Sequence, residues 1–149
     1  MKLAVLCATE RGLRALQQLS ELAPDAEFVV VSFSETLHEP PYVDDIAAFC
    51  DHRNFRFLLQ SDVSKSPARE LLCNSVDLLF CFGWRYWVER VIYESARLGA
   101  YVIHDSLLPK YRGFSPAVWA LMNGESEVGV TLFEMSERVD AGRIVSQQR

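Results

Sequence analysis

No apolar run in this sequence approaches the ~18 residues of a membrane-crossing helix, so no membrane partner is expected. No G-x-G-x-x-G string follows the first apolar stretch, which argues against a dinucleotide site. Basic charge is in deficit: 15 Lys and Arg stand against 20 Asp and Glu, for a formal net charge of -5. Nucleic-acid binders usually carry a basic face, so no nucleic acid is expected, while a local basic pocket for a phosphorylated small molecule is compatible with this balance. The four cysteines, Cys7, Cys50, Cys73 and Cys81, lack metal-ligand spacing. No metal is therefore expected, and the thiols read as reduced, in a cytoplasmic protein. Repeats, low-complexity tracts and linkers are missing too, so residues 1–149 read as one domain.

What is present is a regular alternation. Half of the residues are hydrophobic, enough for a sizeable core. The apolar opening, residues 1–7, lacks a cleavage-type site and reads as a first strand rather than a signal peptide. Strands are predicted at 2–8, 27–33, 55–59, 77–82, 101–103 and 128–135, with a seventh beginning at 143–146. Helices are predicted between them. The first covers 9–22, with Leu13, Leu16, Leu19 and Leu22 along one stripe. The second is short and capped by Asp44 or Asp45. The third runs from an N-cap at Ser66, with Pro67 behind it, to about Ser75. The fourth turns Val88, Val91 and Ile92 inward and closes at Gly99, and the fifth covers 115–123. The expected fold is α/β: a Rossmann-like, open, mostly parallel twisted sheet with helices on both faces, its last strands partly antiparallel.

The chemistry gathers around residues 101–113. An apolar strand delivers His104 at its end, where ligands of open α/β sheets sit. His104 and Asp140 form a candidate acid-base pair, the carboxylate orienting the imidazole. An aromatic turn, Gly83-Trp84-Arg85-Tyr86-Trp87, follows the fourth strand, and a flat ligand would lie against Trp84 and Leu107-Leu108. Lys110 and Arg112, in the Pro109–Gly113 turn, suit a phosphate or carboxylate, as does Arg11 in the first helical turn. His38 reads as a solvated loop residue and His52 as a helix C-terminal cation.

The string His104-Asp105-Ser106-Leu107-Leu108-Pro109-Lys110-Tyr111-Arg112-Gly113 is followed by Pro116, Trp119, Gly124-Glu125, Gly129-Val130-Thr131, Met135 and Asp140-Ala141-Gly142. This pattern resembles the folate-dependent formyltransferase family, which includes methionyl-tRNA formyltransferase, glycinamide ribonucleotide formyltransferase and the sugar N-formyltransferases. The match is strongest over residues 99–145. The resemblance implies N10-formyltetrahydrofolate as co-substrate and a primary amine as acceptor; within the family, the acidic charge and the absence of the tRNA enzyme's C-terminal domain favour a small metabolite over tRNA. The resemblance also implies His104 and Asp140 as catalytic residues. It places the pterin between Trp84, Arg85, Tyr86, Trp87 and Val88 on one side and Ser136, Glu137, Arg138 and Val139 on the other, with Leu107 and Leu108 lining the pocket. The acceptor side is assigned to Arg11, Ser106, Pro109, Lys110, Tyr111, Arg112 and Gly113.

Two departures from the family pattern stand out. The family carries an oxyanion-stabilising Asn two residues before the His, and Val102 stands there, with Ser106 as a substitute donor. The chain also stops soon after the Asp140 loop, so a formyltransferase-like catalytic domain short at its C-terminus is expected, with an exposed final edge and homo-oligomerisation through it. The first expectation for the acceptor is a nucleotide-linked amino sugar. Hydrolysis of the formyl-folate, methionyl-tRNA formylation and a non-catalytic folate- or nucleotide-binding fragment are the alternatives.

Overall fold

A computed structural model describes residues 1–63, 65–74 and 76–149, and at Ser66 the backbone alone. The first half alternates strand and helix: β1 (Lys2–Cys7), α1 (Thr9–Leu22), β2 (Glu27–Ser32), α2 (Val43–His52), β3 (Arg56–Leu59) and, after a short 3-10 turn, α3 (Ser66–Cys73). The second half holds β4 (Leu78–Phe82), α4 (Arg90–Glu94), β5 (Ala100–His104), α5 (Pro116–Met122), β6 (Val130–Glu134) and β7 (Ile144–Gln148). The strands make one sheet in the order β3-β2-β1-β4-β5-β6-β7. Pairing is parallel from β3 to β5 and antiparallel from β5 through β6 to β7.

Alternation along the strands builds two cores. Leu3, Val5 and Cys7 of β1 pack with Phe28 and Val30 of β2 against Leu16 of α1 and Ile46 of α2. Ala4 and Leu6, with Val29 and Val31, face the other way, onto Leu72 of α3 and Ile92 and Tyr93 of α4. Both faces are thus covered, which is why β1 and β2 read as unbroken apolar runs. The free cysteines fit this burial. Cys7, Cys50 and Cys81 are buried; burial pushes the Cys50 thiol up to about 12 and those of Cys7 and Cys81 higher still.

Several local expectations are corrected. Leu22 is exposed, and Gly12 and Ser20 are buried on α1 beside Leu16. At 3.6 residues per turn each three-residue step falls short of a full turn by about 60°, so a stripe stepped by threes has rotated off the core by Leu22. Asp44 and Asp45 lie inside the first turn of α2 rather than capping it, where their charge still complements the helix dipole. α3 begins at Ser66 itself, with Pro67 in its first turn; its expected end at Ser75 lies outside the described residues. α4 is a short turn of helix that buries Ile92 and Tyr93 while Val91 points outward. β7 forms over five exposed residues at the sheet edge, further along the chain than expected. No helix among the described residues is long and apolar enough to cross a membrane.

Candidate active site

His104 is the last residue of β5 and lies opposite Thr131 of β6. Its ring is buried and makes an edge contact with Phe133. Nε2 donates to the Tyr111 carbonyl oxygen at 2.8 Å. A carbonyl oxygen only accepts, so Nε2 carries the hydrogen and Nδ1 of the neutral ring keeps its lone pair. Asp140 Oδ2 lies 3.6 Å from Nδ1 and accepts the Gly113 N–H at 2.7 Å. Nδ1 is therefore the ring nitrogen left without a hydrogen, with a carboxylate oxygen 3.6 Å away. Asp140 has a positive φ of 46°, a conformation that costs a side-chain-bearing residue roughly 1–2 kcal/mol and that Asp tolerates better than most. Such strain is typical of functional positions.

The route by which Asp140 arrives differs from a simple strand end. β6 is antiparallel to β5, starting beside His104 and ending beside Tyr101. The Met135 N–H bonds the Ala100 carbonyl, at the far end of β5. The loop that follows folds back toward His104 before returning to β7. Gly142 permits the return, because a Cβ there would overlap the Glu134 carbonyl oxygen.

The loop after His104 is held from below by Thr131, which is fully buried. Its hydroxyl donates to the Ser106 carbonyl at 2.6 Å and accepts the Leu108 N–H at 3.1 Å. Gln147 donates to the Leu108 carbonyl and to the Thr131 hydroxyl. The Ser106 hydroxyl donates to the Lys110 carbonyl at 2.6 Å. Ser106 thus staples the loop and is not the substitute donor anticipated for it.

A cavity of about 550 Å³ is lined by both His104 and Asp140, within the usual range for small-molecule sites. Its walls include Trp84, Arg85, Tyr86, Trp87 and Val88, together with Val102, His104, Ser136, Val139 and Asp140. Arg11 and Gly113 also line it. The remaining sequence candidates do not. Glu137 and Arg138 lie off the wall, as do Ser106, Leu107, Leu108, Pro109, Lys110, Tyr111 and Arg112. Leu108 is buried in the loop's own packing, and Leu107 sits against Gly129. Lys110 and Tyr111 are engaged elsewhere: both donate to Glu125.

Phe33, Glu39 and Asp105 line the cavity and were not singled out from sequence. Arg85 lies 4.4 Å from the Phe33 ring centroid and pairs with Glu39. The Thr36 N–H, followed by the Arg85 guanidinium, pulls the Glu39 carboxyl down to about 2. Asp105 pairs with Arg11. Phe33 directly follows β2 and Glu39 sits in an irregular loop, so neither carries a periodic signal; Asp105 entered only as part of the motif string, beside His104. Cys81 also touches the cavity, but burial keeps its thiol protonated and unreactive.

The aromatic wall fits the flat heterocycle of a folate. Trp84 contacts Phe33 and Tyr86 edge-on, and its buried indole Nε1 has no hydrogen-bond partner among the described residues. A slot with aromatic, apolar faces suits a flat ring. Among the described residues no cluster of His, Cys, Asp and Glu could hold a metal ion.

A family model described as formyl transferase matches residues 44–149, more than half of the chain. The chain belongs to the formyl transferase family. Solved structures agree in fold. Phosphoribosylglycinamide formyltransferase from Bacillus halodurans superposes with a TM-score of 0.75 at 16% identity, over 99% of this chain and 78% of that one. Its counterpart from Streptococcus pneumoniae gives 0.72 at 22% identity, over 99% and 81%. The formyltransferase PseJ from Anoxybacillus kamchatkensis was solved with UDP-4,6-dideoxy-4-formamido-L-AltNAc and tetrahydrofolate. It superposes with a TM-score of 0.60 at 22% identity, over 99% of this chain and 59% of that one. The family resemblance read from the motifs thus agrees with the family match and with the fold.

Proposed function

We propose that this family member transfers a formyl group from N10-formyltetrahydrofolate to the primary amine of a small metabolite, with a nucleotide-linked amino sugar as the first choice of acceptor. The observation that carries the reading is the His104–Asp140 pair opening onto an aromatic-walled cavity. The bound folate supplies the formyl group. As the amine nitrogen bonds the formyl carbon, His104 Nδ1 takes the proton that the amine must lose; the formyl carbon–N10 bond then breaks and the proton passes to N10 of the departing tetrahydrofolate, Asp140 receiving the hydrogen bond of the imidazolium in between. General-base help of this kind contributes ~10²–10⁴ in rate. Arg11, set at the rim by its Asp105 partner, offers a cation to an anionic part of the acceptor. The nucleotide-sugar ligand of the Anoxybacillus protein supports the choice of acceptor.

Val102 lines the cavity beside His104 and offers no hydrogen-bond donor. This favours a slow enzyme, since one missing oxyanion donor commonly costs ~10²–10³. The test is tetrahydrofolate release from N10-formyltetrahydrofolate with and without a panel of nucleotide-linked amino sugars, for the protein and for Val102→Asn. Acceptor-dependent release, faster in the variant, is the expected result. Release without any acceptor would mean hydrolysis instead. Folate binding with no release from either protein would leave a binding module and overturn the proposal.

A further inference from the structure

Glu125 does not line the cavity, yet it is linked to His104 through Tyr111. Glu125 follows α5, and its own N–H bonds the Ala120 carbonyl at 3.0 Å, which fixes its backbone to the end of that helix. Its Oε1 accepts two hydrogen bonds from consecutive residues of the loop after His104, from Lys110 Nζ at 2.9 Å and from the Tyr111 hydroxyl at 2.8 Å. The Tyr111 carbonyl is the acceptor for His104 Nε2. One residue is therefore gripped at both ends, by Glu125 at its ring and by His104 at its backbone.

We infer that Glu125 is a positioning residue for His104, acting through Tyr111 to keep the hydrogen on Nε2 and the lone pair on Nδ1. Tyr111 has a φ of +55°, a left-handed conformation that an ordinary residue leaves by roughly 1–2 kcal/mol when nothing holds it. The two bonds to Glu125 oppose that relaxation. Without them the Tyr111 peptide is free to rotate and carry its carbonyl away from Nε2. The imidazole then has a competing arrangement, with the hydrogen on Nδ1 bonded to Asp140 and the lone pair on Nε2 facing the loop. In that tautomer Nδ1 cannot accept a proton, although His104 and Asp140 are both still present. The inference rests on the reading of His104 as base only for its effect on rate; the tautomer itself is a property of the protein alone.

The experiment is ¹⁵N NMR of the His104 ring in the unliganded full chain, for wild type, Glu125→Ala, Glu125→Gln and Tyr111→Phe. Wild type should show the Nε2–H form. Glu125→Ala and Tyr111→Phe should both shift population toward Nδ1–H, and Glu125→Gln, which keeps an acceptor oxygen, should restore the wild-type pattern. Where formyl transfer is measurable, both damaging variants should lose about tenfold or more in kcat, a fraction of what a general base supplies. Tyr111→Phe removes one hydroxyl only, so it decides the matter if Glu125→Ala fails to fold. A folded Tyr111→Phe with an unchanged His104 tautomer would overturn the inference, as would Glu125→Gln behaving like Glu125→Ala. Because the spectra need neither folate nor acceptor, a failed transfer assay leaves this test intact.

Discussion

Asp140 has two duties that one substitution can separate. Its Oδ2 accepts the Gly113 N–H and also faces His104 Nδ1. Asp140→Asn keeps an acceptor for Gly113 but loses the charge that receives the imidazolium. Formyl transfer should therefore fall by ~10²–10³, within the span of general-base effects, while the thermal midpoint stays near wild type; steady-state kinetics beside a melting curve checks both. The pair itself was legible in sequence, because a histidine ending an apolar strand and an aspartate in a polar loop are local signals. Its surroundings were less so. Lys110 and Tyr111 read as anion contacts, since nothing in the string shows that Glu125, 15 and 14 residues away, satisfies both. Phe33 and Glu39 meet Arg85 at the cavity through contacts between distant parts of the chain, which no local pattern shows.

Elements differ in how much a sequence reveals of their direction. β1, β2 and β4 were readable as buried strands from unbroken apolar runs. The antiparallel course of β6 was not fixed by the pattern, because the connection from β5 is long enough for either direction. That direction matters to the site. It sets Thr131 at the start of β6, under the His104 loop, where one hydroxyl bonds the Ser106 carbonyl and the Leu108 N–H. Thr131→Val preserves shape and strands these groups in a buried place. The expected cost is ~1–3 kcal/mol, read from the urea midpoint at unchanged m-value. A stability equal to wild type would show that the loop finds other partners.

For the whole molecule, the sheet is tied at its base as well as at the site. Asp77, just before β4, accepts the Lys2 N–H at 2.9 Å and the Arg97 guanidinium at 2.9 Å. The Lys2 N–H and then Arg97 hold its carboxyl below the usual aspartate range. A depressed carboxylate stabilises the fold above its unfolded pKa, near ~3.9 for Asp, and loses that contribution as pH falls through the folded value. Asp77→Ala should thus lower the urea midpoint near neutral pH, and the gap to wild type should shrink once pH drops below about 4. A gap that stayed constant to pH 2 would assign the effect to packing. Two helical layers around one sheet were predictable at this scale from the strand-helix alternation. The reach of the β6–β7 loop back to His104 was not, because it depends on register and on close backbone approach at Gly142.

That hairpin places the acid-base pair on two units of unequal durability. His104 belongs to a strand paired on both sides, whereas Asp140 sits in a loop closed by β7, whose five residues are all exposed and pair with β6 alone. Exposed edge elements open locally at a lower free energy than core strands. Amide exchange should therefore be fast in β7 and slow in β1 and β4. On warming, such a molecule passes through a population with an intact core and a disarmed site, so its catalytic competence is bounded by the fraying of one hairpin rather than by the melting of the domain.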